Sequence, residues 1–340
     1  MKHYQRLAAL LLAVLLLCGC MPKIQREYRT DIPFVQTPAP AQTPAAGRSA
    51  AEQRYGSVKL LTEPTVLVSV FLNAPGCEEW TEEARTDALA RVDSALDWLA
   101  QQGSGYGVKT LLYHADGGYY TLHNAVSGGE QSEESDALLE ELDTLSARID
   151  TADLQAKYST TNIGMLYFLP VGGTSFAMVH YADSGEKYYY EYACLYRYDA
   201  YSPDAEPENP ATYAHEILHL FGAPDLYEGS TDAFVDEALL HYIARRYPND
   251  IMHSTYDADG TSRLQDITQT ISPLTAYCVG LTDTCPELEL FPKLSNVTPG
   301  VFRYPADSGS TPDTGNDADG GGDAGDEPDS AQAWPGAVAV

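Results

Sequence analysis

The chain has 340 residues, of which 44% are hydrophobic and 20% charged, so it can form a packed core and is not disordered throughout. Its formal net charge is −29, from 49 acidic and 20 basic side chains. This balance argues against a nucleic-acid-binding protein, which needs clustered lysine and arginine, and against electrostatic docking on anionic lipid.

The N-terminus predicts an export signal. A short basic region with Lys2 and Arg6 precedes an unbroken apolar run over residues 7–17, which is too short to cross a bilayer as a mature helix. The run ends in Leu-Cys-Gly-Cys at 17–20, which resembles a bacterial lipobox. That resemblance implies a lipid on Cys20 that holds the mature protein on the extracytoplasmic face of the membrane. An ordinary signal peptide that is cut nearby is the alternative.

Two segments of biased composition flank the middle of the chain. Residues 21–56 are rich in Pro, Ala and Thr, which is typical of an extended tether. The C-terminal segment contains an acidic, Gly-rich run, which is typical of a disordered tail. The sequence therefore predicts a signal peptide over 1–20, a tether over 21–56, one folded domain over 57–290 and a tail over 291–340.

Periodicity predicts alternating strands and helices in the folded domain. Three apolar runs indicate buried strands, at 65–72, 108–113 and 163–171. Amphipathic helices are expected between them, the first ending at Gly103 and the second near 138–149. This order implies a parallel sheet with right-handed crossovers. A Gly-Gly pair then makes 175–181 the candidate for an antiparallel edge strand, ahead of a last strand over 188–198.

The next segment predicts a well-capped helix. Asn209 suits a helix N-cap, Pro210 suits the first helical position, and Gly222 is a residue that commonly follows a helix. A helix over 210–221 is therefore expected.

Two histidines and a glutamate on this helix predict a zinc centre. His215 and His219 are four residues apart, so they share one helix face and can bind a single Zn²⁺. Glu216 follows the first histidine and can act as a general base. Gly222 lets the chain turn back, so Asp225 is the expected third ligand. A buried helix with two hydrogen-bonded histidines is the alternative.

The pattern HExxHxxGxxD at 215–225 resembles the metzincin zinc metallopeptidases, in the variant where Asp replaces the final His. Snapalysin-like and immune-inhibitor-A-type peptidases are similar. Asn249–Met252 resembles the Met-turn of that family, which places Met252 beneath the zinc, and 271–281 resembles its closing helix. The resemblance implies an α+β fold with a mostly parallel twisted sheet, one antiparallel edge strand, an active-site helix and a mainly helical C-terminal subdomain.

The chain departs from this family at two places. Several metzincins carry a Tyr two residues after the Met, whereas this chain has Ser254 there and Tyr256 two residues later. Glu237 lies on a predicted helix at the distance where gluzincins carry their third ligand, so it is the alternative to Asp225. His253, beside the Met-turn, is a candidate for contact with substrate.

The cysteines fit an exported protein. Four remain after the signal and the lipidated residue are set aside, namely Cys77, Cys194, Cys278 and Cys285. Their pairing stays open, since four cysteines allow three arrangements and none has the spacing of a zinc ribbon.

Together these patterns predict a lipid-anchored zinc endopeptidase that acts on extended peptides. Two other classes stay open. One is a surface binding protein on an inactive peptidase fold, and the other is a zinc hydrolase that acts on non-peptide amide bonds.

Overall fold

The structure is a computed structural model that describes residues 25–27, 55–126, 135–180, 190–200, 206–301 and 337–339. The predicted signal peptide and Cys20 lie outside the described residues, as do most of the tether and most of the tail. Within the described part, every helix is too short or too polar to cross a membrane.

Strands and helices alternate through the first half of the domain, and the second half contains short helices only. In chain order the elements are β1 Gln25–Glu27, β2 Thr65–Asn73, α1 Glu82–Gly105, β3 Leu112–Thr121, α2 Asp136–Arg148, α3 Ala152–Tyr158, β4 Asn162–Gly173, β5 Phe176–Met178, β6 Tyr192–Asp199, α4 Pro210–Leu220, α5 Glu237–Arg246, α6 Pro273–Cys278, α7 Glu287–Leu290, a 3₁₀ helix at Pro292–Asn296, and β7 Ala337–Ala339.

The strands form one mixed sheet. Strand β2 pairs in parallel with β3 and β4, and β4, the central strand, also pairs in parallel with β6. Strand β5 pairs antiparallel with β6, which confirms the predicted edge strand within 175–181. The three-residue strands β1 and β7 add to the two ends of the sheet, on β3 and β5. They fall inside the predicted tether and the predicted tail.

Helices cover both faces of the sheet. Along β2, Leu67 and Phe71 pack in one core with residues of α1 and α4, while Val66, Val68 and Val70 pack in the other with α2 and α3. Side chains of a strand alternate between faces, so a strand that is buried on both sides is apolar throughout. Helix α4 is itself completely buried, which fixes its position against β5 and β6.

Strand β3 begins later than the sequence predicts. The run at 108–113 was expected to be the strand, but pairing extends over Leu112–Thr121 and so includes His-Ala-Asp-Gly-Gly. Polar residues and glycines normally end a strand. Here His114 and Asp116 are buried and satisfied by α1, because Asp116 pairs with Arg85 and His114 pairs with Asp93. Partners on α1, which are distant in sequence, therefore allow the strand to continue through residues that would normally end it.

His114 is the centre of a buried polar chain between α1 and the sheet. Its Nδ1 donates to Asp93 Oδ1 at 3.0 Å, and its Nε2 lies 2.8 Å from Ser69 Oγ. The three residue types are those of a serine hydrolase, but all three side chains are buried in the core. No substrate can reach them there, and the chain instead fixes α1 against β2 and β3.

The C-terminal part is less helical than predicted, and turns connect its short helices. The predicted helix over 271–281 is shortened to α6, Pro273–Cys278. The buried carboxylate of Asp250 holds these turns, since it accepts from Met252 N, Ser272 N and Thr275 Oγ1 at 2.6–2.9 Å. Folded structure also continues past residue 290 to Val301.

The four cysteines predicted to remain in the mature protein are free thiols in the structure. Cys285 Sγ donates to Glu287 Oε2 at 2.9 Å, and both residues are buried.

Replacement of His114 should destabilise the whole domain. His114→Leu removes the imidazole that pairs with buried Asp93, and loss of one partner of a buried pair costs about 3–5 kcal/mol. Urea unfolding at pH 7 measures the free energy of unfolding. The control is His123→Leu, whose side chain is 78% exposed beside Glu141 and should leave stability nearly unchanged. Equal stability of the two variants would contradict the role of His114.

Candidate metal centre

Helix α4 begins and ends where local chemistry dictates, as predicted. Asn209 is the N-cap, and its side chain accepts from Thr212 N at 2.9 Å. Pro210 occupies the first turn, where a missing N–H costs nothing. The helix ends at Leu220, and Gly222 N donates back to His219 O at 2.8 Å.

Gly222 reverses the chain after the helix. Its φ is +97°, a conformation that L side chains rarely adopt. A Cβ there would also lie 2.9 Å from Cα of Gly300. The turn continues as Ala223 N donates to Leu218 O at 3.1 Å. The residues that follow therefore return beneath the last turns of α4, and Asp225 is among them.

The turn brings three polar side chains together in the core. The Nε2 atoms of His215 and His219 lie 3.0 Å apart, and Asp225 Oδ1 lies 3.2 Å from each of them. All three residues are at most 2% exposed. Among the described residues, this is the one group of three or more His, Cys, Asp or Glu side chains whose ligand atoms lie close enough to hold a metal ion.

Outer hydrogen bonds determine which atoms of the imidazoles face each other. His215 Nδ1 donates to Ile251 O at 2.9 Å, and His219 Nδ1 donates to Ala223 O at 2.8 Å. A carbonyl only accepts, so each Nδ1 carries a hydrogen and each neutral ring presents a lone pair on Nε2. Two lone pairs at this distance repel each other unless a cation or a proton lies between them.

The donor set fits a zinc ion. Two imidazole nitrogens and a carboxylate oxygen are donors that three-ligand zinc sites use, and the same donors also suit other divalent metals. Neutral histidines with the other nitrogen bonded to a carbonyl are also typical of metal sites.

Electrostatics in the group favour a positive charge. Burial alone would lower the pKa of His219, but the carboxylate of Asp225 and the carbonyl of Ala223 raise it above its ordinary value. Burial alone would raise the pKa of Asp225, but the two imidazoles lower it. The carboxyl group is therefore ionised at neutral pH and attracts a cation to the point between the rings.

The segment that resembles a Met-turn packs against the loop that carries Asp225. Met252 is fully buried, its N–H donates to Asp250 Oδ1 at 2.7 Å, and its carbonyl accepts from Leu226 N at 2.8 Å. The preceding carbonyl, of Ile251, is the one that accepts from His215. This turn thus supports both the first histidine and the Asp225 loop.

Glu216 and Glu237 lie in opposite environments. Glu216 is fully buried on α4, next to His215. Glu237 begins α5, its side chain is 90% exposed, and its Oε1 lies 3.3 Å from Nε2 of His241. Asp225 and Glu237 were the two candidates for a third ligand. The structure brings Asp225 to the histidines and leaves Glu237 at the surface.

Two further candidates lie near the Met-turn. His253 is half-buried, and its Nδ1 donates to Leu226 O at 2.8 Å. Tyr256 donates from its hydroxyl to Asp199 Oδ2 at 2.7 Å, so the ring is tied to the end of β6.

One residue beside the group carries no recognisable signal in the sequence. Asp232 is buried, and its Oδ2 accepts from the backbone N–H of Asp225 at 3.1 Å. Burial, followed by the charge of Asp225, raises the pKa of Asp232 to about 7. It lies in a loop without periodicity and belongs to no motif, so only the folded chain reveals it.

Comparison with protein-family models and with curated proteins finds no match to this chain.

Removal of Asp225 should abolish tight metal binding. Asp225→Ala deletes the one anionic donor of the group, and its zinc dissociation constant should rise more than the roughly 10–100-fold that loss of an outer partner costs. Competition with a chromophoric chelator measures this constant. Glu237→Ala removes an exposed carboxylate of α5 and should bind zinc as the wild type does. The reverse pattern would identify Glu237 as the ligand.

Proposed function

We propose that the protein is a zinc-dependent endopeptidase of the metzincin type. The buried His215–His219–Asp225 group, with Glu216 beside it on the same helix, carries the proposal. A metal-ligand set and an adjacent carboxylate base are the two parts that metal-assisted hydrolysis requires. The sequence pattern HExxHxxGxxD and the turn at Met252 support the family assignment.

The proposed chemistry divides between the ion and the protein. His215, His219 and Asp225 would hold the zinc ion, which would supply a Lewis acid to polarise the scissile carbonyl and to lower the pKa of water. Glu216 accepts a proton from the attacking water on its carboxylate and then delivers that proton to the leaving amine. The carbonyls of Ile251 and Ala223 keep the hydrogen of each histidine on Nδ1, so that Nε2 stays available as a ligand.

An extended peptide is the proposed substrate, and the edge of β5 is its proposed binding site. Strand β5 is the antiparallel strand next to β6, and it contacts α4. Its outer edge pairs antiparallel with residues 337–339, so its backbone groups are suited to an added strand. A substrate would occupy the same edge in place of that segment.

Lipid anchoring is proposed from the sequence. The apolar run and Leu-Cys-Gly-Cys support a lipid on Cys20 and a location on the extracytoplasmic face of the membrane. The tether would then hold the peptidase domain away from the bilayer.

Replacement of the base should separate metal binding from hydrolysis. Glu216→Gln keeps the ligand set, so zinc content should equal that of the wild type, while kcat should fall about 10²–10⁴-fold because a positioned base is lost. A quenched peptide library assayed with zinc-loaded protein measures the rate.

The matched control for that variant is Glu228→Gln, which removes an exposed carboxylate from the loop after Asp225 and should keep full activity. A pure, zinc-loaded Glu216→Gln protein with unchanged turnover would contradict the assignment. A zinc-loaded wild type that cleaves no peptide would leave the inactive binding protein or the amide hydrolase, and a glycan-amide substrate would distinguish these two.

Loss of the lipidated cysteine should change the location of the protein. Cys20→Ala should either release the protein from membranes or leave its signal uncleaved, because position 20 no longer offers a thiol for the lipid. Membrane fractionation and the mass of the mature protein measure both effects. A variant that stays in the membrane fraction at the mass of the mature wild type would contradict the anchoring proposal.

A further inference from the structure

A second buried aspartate lies directly behind the proposed ligand Asp225. Asp232 is 4% exposed, and its Oδ2 accepts the backbone N–H of Asp225 at 3.1 Å. Its other oxygen, Oδ1, has no hydrogen-bond partner among the described residues. One oxygen of this carboxylate thus binds the loop that carries Asp225, and the other oxygen is buried without a donor among the described residues.

The backbone around Asp232 is held rigidly. Its N–H donates to Ser230 Oγ at 3.3 Å, and its carbonyl accepts from Val235 N at 2.9 Å. Ser230 N in turn donates to Tyr227 O at 3.2 Å. The side chain is therefore presented from a turn that precedes α5, and its bond to Asp225 closes the loop between them.

A second carboxylate directly behind Asp225 adds negative charge to the site when it is ionised, and a buried pair of like charges is costly unless a positive charge lies nearby. The imidazoles of His215 and His219 have only lone pairs facing the site when they are neutral. A divalent cation bound between the two imidazoles would supply the missing positive charge. The hydrogen bond from Asp225 N would hold the carboxylate of Asp232 in place behind Asp225.

We propose that Asp232 is a positioning residue, which orients the loop of Asp225 for metal binding through its hydrogen bond to the backbone N–H of Asp225. The inference rests on the proposed zinc centre and adds a residue outside the HExxHxxGxxD pattern. An outer partner that orients a ligand typically contributes 10–100-fold to metal affinity.

Two substitutions at this position test the proposal. Asp232→Ala removes the acceptor, and its zinc dissociation constant should rise about 10–100-fold. Asp232→Asn keeps a side-chain oxygen for the N–H of Asp225, so its zinc affinity should lie between those of Asp232→Ala and the wild type. Chelator competition measures the affinity, and the visible spectrum of the Co²⁺-loaded protein should shift in Asp232→Ala because the ligand geometry changes. The control Glu228→Gln, in the same loop, should match the wild type in both measurements.

The stability of the metal-free protein distinguishes positioning from a merely structural role. Asp232→Asn keeps the hydrogen bond and removes a charge beside Asp225, so the metal-free variant should melt no lower than the metal-free wild type. An Asp232→Asn variant that loses zinc affinity and metal-free stability together would overturn the proposal. Equal zinc affinity in Asp232→Asn and Asp232→Ala, or an Asp232→Ala variant with the affinity of the wild type, would overturn it as well.

Failure of the zinc centre itself would look different. A wild-type protein that binds no zinc would overturn both the proposed function and the role of Asp232. A wild type that binds zinc tightly, with Asp232 variants that bind equally well, would overturn only the role of Asp232.

Discussion

Two histidine side chains on the buried helix α4 face each other with their Nε2 atoms, next to the carboxylate of Asp225. Carbonyls of Ile251 and Ala223 fix a hydrogen on Nδ1 of His215 and of His219, so the Nε2 atoms face each other 3.0 Å apart, and in the neutral rings both carry lone pairs. Such an arrangement is repulsive in isolation and favourable around a cation. The N-cap at Asn209 fixes where the helix that carries both rings begins.

The buried carboxylates around the two histidines also favour a bound cation. Buried carboxylates at Glu216, Asp225 and Asp232 lie on or directly after α4, in a protein whose net charge is already −29. Burial of like charges is costly without a compensating ion. If a divalent ion is bound in the native state alone, its binding energy adds to the stability of the fold.

Local signals were sufficient to predict helix α4. A cap, a proline, a glycine and two histidines four residues apart depend only on neighbours in sequence, and α4 forms as they predict. The antiparallel edge strand β5 was also predictable, because a Gly-Gly pair interrupts the chain just before it. The position of Asp225 beside the histidines followed from the turn that Gly222 permits.

Features that depend on distant partners were not predictable. Strand β3 includes His114 and Asp116 because α1 supplies Asp93 and Arg85, which lie more than twenty residues earlier. Glu237 has the spacing of a gluzincin ligand, but packing turns the start of α5 outward, and its side chain is exposed. Asp232 belongs to no motif and meets Asp225 only through the folding of the loop.

A crystal structure of the zinc-loaded protein, with anomalous diffraction measured at the zinc edge, would test the proposed metal centre directly. We expect one anomalous peak about 2.0–2.2 Å from Nε2 of His215, Nε2 of His219 and a carboxylate oxygen of Asp225. A zinc-loaded crystal with no peak at the two histidines, or with a peak that Asp225 does not contact, would contradict the account.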